Sequence, residues 1–368
     1  MINQDYKNLL KDITKNASNH PVLSLERPLV DNLFHITGSK GKTTTANYVH
    51  QLLPKQTPIF SSPHCFSLKE RIRDYNLLSD TDFTQLFTTT DYSFFGNLTH
   101  AFINFLQRQT PKNAVIEVGI GGLMDTTFIK NISQQKIGIL TSVELEHQDL
   151  LGNNLQDILF HKLAIFQNAD HVIVPQNLDL LGMDRFYQIQ DKIKRVKIDD
   201  DWQRSNERLA RRAVFEAGIQ TYNKVSQQFP GRNIQIDNFF IDCAHTVESV
   251  KKSLINLNGK KCKLIFSQTR KTRDWRSVLR QIYQILNIQE AYYLPTSSSL
   301  DYRDNLLISE TSKEIGNQIC QEVDMKMIQN SEIKNIQGDV VVLGSTHLAC
   351  LVQWLIQGEK ALDFFNRM

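Results

Sequence analysis

Gly38-Ser39-Lys40-Gly41-Lys42-Thr43-Thr44-Thr45 lies between an apolar run, Leu33-Phe34-His35-Ile36, and a helix-like segment from Ala46 to Leu53. Strand, glycine loop, lysine, hydroxyl and helix is the order that cradles phosphate groups at a helix N-terminus. Glycines let backbone N–H groups approach phosphate oxygens, Lys42 brings a positive charge, and the Thr43 hydroxyl can reach Mg²⁺ or a phosphate oxygen. Ile36 occupies the place of the first glycine in the full G-x-x-x-x-G-K-[ST] pattern. A glycine-lysine-threonine triplet also opens helices that meet no nucleotide, so the rest of the chain has to decide.

Around this loop, strand-like runs alternate with helical periodicity. Strands are expected at Leu33–Thr37, Ile59–Ser61, Ala114–Glu117, Ile137–Thr141 and His171–Pro175, and helices at Lys42–Leu53, Thr81–Thr89, Leu98–Gln107, Leu155–Gln167 and Asn206–Ala217. That alternation predicts an α/β fold, a P-loop-type, doubly wound and mainly parallel sheet covered on both faces. Ligands of such sheets collect at the carboxyl ends of the strands, where the glycine loop lies. After Gln227-Gln228-Phe229-Pro230-Gly231, a polar stretch with a Pro-Gly turn, a second series begins. Its strands are expected at Phe239–Asp242, Lys263–Ser267, Ala291–Leu294 and Val340–Leu343, and its helices at Val247–Leu257, Trp275–Leu286, Ser309–Cys320 and Leu348–Ile356. The reading is an ATP-binding domain over 1–227 and a smaller, Rossmann-like α/β domain over 228–368, with a cleft between them as the expected place of an active site.

Bulk properties narrow the class. The 368 residues are 41% hydrophobic and 22% charged, the composition of a folded chain longer than one ordinary core. A net charge of +3 does not call for nucleic acid, and the basic run Arg270-Lys271-Thr272-Arg273 reads as a solvated surface sooner than as a phosphate contact. Met1-Ile2-Asn3-Gln4-Asp5 opens polar and leads into the amphipathic spacing of Leu9, Leu10 and Ile13, so no secretory signal is expected. No apolar run approaches the length of about 20 residues that crosses a bilayer. Five scattered cysteines without C-x-x-C spacing read as reduced thiols, which points to the cytoplasm.

Five further stretches resemble the signature segments of the folylpolyglutamate synthase and dihydrofolate synthase family, within the wider Mur ligases. Ser62-Pro63-His64 with Glu70-Arg71-Ile72 is similar to its Ser-Pro-His loop and Glu-Arg pair, and Glu117-Val118-Gly119-Ile120-Gly121-Gly122 followed by Asp125 to its Glu-Val-Gly-Leu-Gly-Gly segment. Glu146-His147, Leu151-Gly152 and Lys162 follow its Asp-His, Leu-Gly and lysine pattern. Pro230-Gly231-Arg232, Asp242-Cys243-Ala244-His245 and Leu343-Gly344-Ser345-Thr346-His347-Leu348 complete the series in the family's order.

Some roles stand on the residues alone. Glu117 ends an apolar strand before three glycines, so its carboxylate would project toward the phosphates, where Mg²⁺ wants oxygen ligands; an acid capping a glycine turn is the plainer alternative. His147 follows a strand end, Lys162 sits on an amphipathic segment, and Arg232 follows a turn; each has an ordinary surface reading beside the functional one. The resemblance implies more. Gly38, Ser39, Lys40, Gly41, Lys42, Thr43 and Thr44 would meet the ATP phosphates; Thr43, Ser62, Glu117 and His147 would ligate Mg²⁺; and a carbamylated Lys162 would help hold a second Mg²⁺. Lys42, His147 and Lys162 would be the catalytic set. Asn206 would read the base, with Gln203 beside it, while Arg232 and Asp242 would reach phosphate and ribose. Ser62, His64, Arg71 and Asp125 would serve the pterin or folate carboxylate, and His245 and Ser345 the incoming L-glutamate.

The chemistry implied is activation of a carboxylate by ATP as an acyl phosphate, then its capture by an amine, catalysed by positioning and electrostatics without a protein nucleophile. The expected partners are small molecules, L-glutamate and a pterin or folate acid, with neither nucleic acid nor membrane, on a monomer. Thr43-Thr44 stands where the family reads Gly-Ser, and Leu123-Met124-Asp125-Thr126-Thr127-Phe128 stands for Arg-Leu-Asp-Ala-Thr-Asn. Three readings therefore remain: a folate-type ligase, a ligase of the same mechanism acting on another carboxylate, and a nucleotide-binding homologue without turnover.

Overall fold

The computed structural model describes residues 2–14, 23–297, 299–304, 306 and 308–365. Met1 and the last three residues, which the expected domain limits include, lie outside the described residues. Two compact units emerge: one takes Ile2–His64 and Lys69–Gln227, the other takes Cys65–Leu68 and the chain from Gln228 onward. Each is an α/β layer structure.

The first unit is built on seven strands: β1 (Val30–Thr37), β2 (Ile59–Phe60), β3 (Ile72–Arg73), β4 (Asn113–Glu117), β5 (Ser133–Leu140), β6 (His171–Pro175) and β7 (Ile193–Val196). They pair in the order β3-β2-β4-β1-β5-β6-β7, parallel throughout except for β2 against β3. Val30, Leu33, Phe34 and Ile36 of β1 are buried, as a central parallel strand covered on both faces requires. The register sets Ile36 beside Glu117 of β4 and Ile139 of β5, so three neighbouring strands end level with one another. At Gly138 of β5 the sheet admits no side chain, because a Cβ there would lie 2.3 Å from Cδ1 of Phe166.

The second unit carries β8 (Ile234–Ile236), β9 (Phe239–Ile241), β10 (Lys261–Phe266), β11 (Asn287–Tyr293), β12 (Lys326–Met327) and β13 (Val340–Leu343). Their order is β12-β11-β10-β13-β9-β8, with only β8 and β9 antiparallel. Its core gathers Leu264, Phe266, Leu279, Ile282, Tyr293, Ile319 and Leu343 from the sheet and its flanking helices. Cys65–Leu68 joins this unit through specific bonds: the Ser67 hydroxyl donates to Asp301 Oδ2 at 2.6 Å, Tyr302 N–H donates to the Phe66 carbonyl at 2.7 Å, and the Phe66 ring meets Trp354 at 6.0 Å.

Both expected strand series are present, with shifted ends. The helix expected over Thr81–Thr89 is shorter, Asp80–Thr84. Asn104 Nδ2 donates to the Leu86 carbonyl, and the β-branched run Thr88-Thr89-Thr90 offers little to a helix. The helix over Leu155–Gln167 is regular only to Leu163 and tightens to a 3-10 turn at Ala164–Phe166. Strands β3, β7, β8 and β12 escaped sequence reading because they are two to four residues long and carry charged or polar residues such as Arg73, Lys194, Arg195 and Lys326.

Gly138→Ala is expected to lower the free energy of unfolding by about 1–3 kcal/mol through overpacking against Phe166. The fall should appear as an earlier urea midpoint with an unchanged slope.

Candidate functional site

Because β4, β1 and β5 end together, Glu117, Gly38 and Thr141 meet at one sheet edge. Gly38 has φ +145°, and a Cβ on it would fall 2.0 Å from Thr141 Oγ1 and 3.0 Å from the Ser142 nitrogen. Only glycine fits there. Beyond it the loop is fastened to the segment after β5: Ser39 N–H donates to the Ser142 carbonyl, Lys40 N–H to Ser142 Oγ and Glu144 N–H to Ser39 Oγ, each at 2.9 Å. The amides of Ser39 and Lys40 are thus committed to the loop itself. Gly41 then adopts φ +85° and caps the helix Lys42–Leu52, whose first backbone bond is Thr45 N–H to the Gly41 carbonyl at 2.9 Å. The N–H groups of Lys42, Thr43 and Thr44 precede that bond and present the positive end of the helix.

Two lysines converge on one carbonyl. Lys42 Nζ and Lys162 Nζ each donate to the Gly38 carbonyl at 2.9 Å. Lys162 is only 1% exposed, far from the solvated helical lysine that its amphipathic setting allowed. Burial and then the charge of Lys42 push its amine down to about 8, against the pull of Glu146. Glu146 Oε1 lies 3.4 Å from Lys162 Nζ and Oε2 3.7 Å from Lys40 Nζ. In the sequence Glu146 stands out only as the neighbour of His147, because a carboxylate in the loop after β5 carries no local sign of the lysines it meets.

On the other side of the loop, Glu117 is 1% exposed. Its Oε1 accepts from the Thr43 hydroxyl and its Oε2 from Ser62 N–H, both at 2.9 Å, and the Thr43 hydroxyl also lies 2.8 Å from the Ser62 carbonyl. Ser62 precedes Pro63 through a cis peptide. A carboxylate beside two hydroxyl-bearing residues is a donor set that suits a hard cation keeping several waters. Among the described residues, no three of His, Cys, Asp and Glu gather around a metal-sized point. His147, at φ +50°, caps the short helix Gln148–Leu151 and is half-buried. Arg71 Nε donates to His64 Nδ1 at 2.9 Å, and its guanidinium stands 5.4 Å from the Phe94 ring centre. Burial pushes Arg71 down to about 10, with Glu117 and Glu70 drawing it back.

Asp125 is engaged with its own turn. Oδ2 accepts from Ile120 N–H at 3.0 Å, while Oδ1 accepts from Thr127 N–H at 3.0 Å and from the Thr127 hydroxyl at 2.6 Å. Thr127 Oγ1 also lies 3.2 Å from Nε2 of His35, a buried β1 residue within the apolar run. Asp125 thereby shapes the glycine turn after Glu117. Asn206, on the helix Trp202–Glu216, accepts from the Thr45 hydroxyl at 3.2 Å, and its Oδ1 lies 2.6 Å from the point a Cβ on Gly41 would occupy. The structure therefore brings Asn206 to the start of the phosphate loop.

In the second unit, Asp242 follows β9 and accepts from Asn233 N–H at 2.7 Å and Ala244 N–H at 2.8 Å, clasping the turn that carries Arg232. Burial raises its carboxyl, and Arg232 opposes the rise. His245 Nδ1 lies 2.9 Å from the Cys243 carbonyl. Gly344 N–H donates to the Ala244 carbonyl at 2.8 Å, which sets Ser345 beside the His245 turn. Ser345 itself is buried and accepts from Leu348 N–H at 3.0 Å, capping the helix Thr346–Gln357.

Comparison with known proteins bears on the fold and the family. The Mur ligase middle domain matches residues 36–238. The dihydrofolate synthase/folylpolyglutamate synthase of Haemophilus influenzae is 27% identical over 192 residues, 47% of this chain and 43% of that protein. The mitochondrial folylpolyglutamate synthase of Bos taurus is 35% identical over 181 residues, 43% of this chain and 30% of that protein. The chain thus spans less than half the length of these two curated relatives. The folylpolyglutamate synthase of Candida albicans is 22% identical over 388 residues, covering 83% of this chain and 74% of its own. Among solved structures, E. coli FolC in complex with DHPP and ADP superposes with a TM-score of 0.73 at 17% identity, covering 96% of this chain and 98% of that one. With the middle domain matched over more than half of its residues, the chain belongs to the Mur ligase family, in its folylpolyglutamate synthase/dihydrofolate synthase branch.

Proposed function

We propose that this protein is an ATP-dependent acid–amino-acid ligase that adds L-glutamate to dihydropteroate or folylpolyglutamate and releases ADP and phosphate. The observation that carries the reading is the pairing, at one sheet edge, of a lysine-rich phosphate loop with the Thr43–Glu117–Ser62 oxygen set. E. coli FolC has been solved with DHPP and ADP, and the Yersinia pestis bifunctional synthase with AMPPNP and a Mn ion.

The substrate carboxylate oxygen attacks the γ-phosphorus of ATP, the bond to the β-phosphate oxygen breaks, and ADP leaves. The amine nitrogen of L-glutamate then attacks the acyl carbon, phosphate departs, and the nitrogen loses a proton as the amide forms. Lys42 and the N–H groups of Lys42, Thr43 and Thr44 meet the charge that develops on the phosphates. Thr43, Ser62, Glu117 and His147 are the residues to hold Mg²⁺, which when bound draws charge from the phosphate oxygens. Lys42, His147 and Lys162 form the catalytic set, the phosphates lie along Gly38–Thr44, and Asn206, Arg232 and Asp242 serve base, phosphate and ribose. Ser62, His64 and Arg71 serve the pterin acid; His245 and Ser345 serve L-glutamate.

Lys162 is the carbamate-forming residue. Its neutral amine adds CO₂ and gives up a proton, and the resulting anion, beside Lys42 and Lys40, helps hold a second Mg²⁺. Its burial and lowered amine basicity support this. These activities are carried by an ATP-binding domain over 1–227 and a second α/β domain over 228–368, in a monomer of the cytoplasm without nucleic-acid or membrane partners. Among the described residues, no helix is long and apolar enough to cross a membrane.

A second reading, the same reaction on a non-folate carboxylate, is favoured by Asp125. Both its oxygens are engaged within its own turn, and Phe128 stands where the family has an asparagine.

Purified protein with Mg·ATP and L-glutamate should release phosphate and yield a new amide when dihydropteroate or a folate is added. Turnover with another acid only would favour the second reading, and no turnover together with no ATP binding would sink both. Lys42→Ala should lower kcat by at least about a hundredfold with an unchanged circular-dichroism spectrum; undiminished turnover would refute its phosphate role. Removal of CO₂ should depress activity and bicarbonate restore it, more fully above pH 8, where the Lys162 amine is neutral, than below. Because the folded-state basicity is depressed, the burial penalty of Lys162 stands in full below about pH 8 and is relieved as pH rises toward 10.5. Lys162→Ala should be indifferent to bicarbonate.

A further inference from the structure

Arg73 lies on β3, a two-residue edge strand, and is only 1% exposed. An arginine is rarely shut away unless its donors are used. Its Nη2 donates to Asn47 Oδ1 at 2.7 Å and its Nη1 to the Asp74 carbonyl at 3.0 Å. Asn47, itself buried on the helix Lys42–Leu52, passes the contact on, because its Nδ2 donates to the Thr43 carbonyl at 2.8 Å. A guanidinium can only donate, so it takes the oxygen of the Asn47 amide and leaves the NH₂ facing Thr43. Burial pushes the Arg73 guanidinium down to about 10, with Glu70 and Asp74 drawing it back, so it is charged at neutral pH. The residue at the head of the same strand steadies the other side of the oxygen set: Ser61 N–H donates to the Arg71 carbonyl at 3.1 Å, one residue before Ser62.

We propose that Arg73 is a positioning residue for the Thr43 hydroxyl, acting through the Asn47 amide on the first turn of the helix Lys42–Leu52. The inference rests on the reading of Thr43 as a Mg²⁺ ligand and extends it to the residues that aim it. The Thr43 hydroxyl stands 2.9 Å from Glu117 Oε1 and 2.8 Å from the Ser62 carbonyl, so a small rotation of that turn carries it away from one or the other. An asparagine amide inside a helix competes for backbone groups and is free to turn over. Arg73 removes that freedom and makes the competition a fixed bond to Thr43.

The test uses the full chain, with calorimetry of ADP binding in Mg²⁺ and in EDTA beside urea unfolding. Asn47→Asp keeps a partner for Arg73, but its carboxylate cannot donate to the Thr43 carbonyl. It is expected to weaken Mg·ADP binding about tenfold, to leave metal-free ADP within about twofold, and to hold the urea midpoint near that of wild type. In turnover, kcat should fall while the KM for L-glutamate holds. Arg73→Met and Asn47→Ala should each show the same Mg²⁺-dependent loss, and the double variant no more than either alone, since both cut one line of bonds. Mg·ADP affinity in Asn47→Asp equal to wild type overturns the positioning role and leaves the nucleotide reading intact. So does a loss that is equal with and without Mg²⁺, the mark of a purely structural part. Should Arg73→Met fail to fold, the Asn47→Asp comparison decides by itself. If wild type binds no ADP, or binds it alike with and without Mg²⁺, the metal reading fails and this inference with it.

Discussion

Everything at the candidate site depends on the close approach of Gly38 to Thr141. β1 must run between β4 and β5 with the three strands ending level, and the backbone of β1 must then turn away at once. A side chain at residue 38 would overlap Thr141, so glycine is what allows the phosphate loop to lie on the end of β5. From that contact follow the clasp of Ser39 and Lys40 by residues 142–144, the start of the next helix at Lys42, and the exposure of one carbonyl, Gly38, to two ammonium groups.

That pair of ammonium groups decides the electrostatics. Lys42 and Lys162 would repel one another in the absence of a counterion, and Glu146, shared with Lys40, offsets the Lys162 side. Like charges held on one carbonyl favour whatever brings negative charge, which suits the polyphosphate proposed for this site. On the other side of the loop, Glu117 supplies a buried carboxylate, bonded to Thr43 and Ser62.

Much of this was legible in the residues. The central strands β1, β4 and β5 are long apolar runs bounded by glycine or acid, and His171–Pro175 and Val340–Leu343 have the ends that their patterns implied. The edge strands β3, β7, β8 and β12 were not legible, since two to four residues interrupted by charged or polar side chains carry no period. Thr81–Thr89 misled for a different reason: its apolar spacing is helical, but Asn104 from a distant helix takes the Leu86 carbonyl. Motif position is also silent on what a side chain does within the fold. Asp125 and Ser345 have side chains occupied in shaping a turn and capping a helix, which no spacing reveals.

The sequence by itself determined the class of fold and the loop that organises it, because hydrophobic period and the order strand, glycine, lysine, helix are local properties. Family membership was likewise legible as an ordered series of short segments. Only the tertiary structure decided that Lys162 is buried against Gly38, that Glu146 is shared between two lysines, that His35 reaches Asp125 through Thr127, and that Asn206 comes to lie against Gly41. Each of these joins residues far apart in the chain or depends on where an element ends relative to the sheet. Burial and electrostatic environment are properties of the packed assembly, and no residue carries them in its own name.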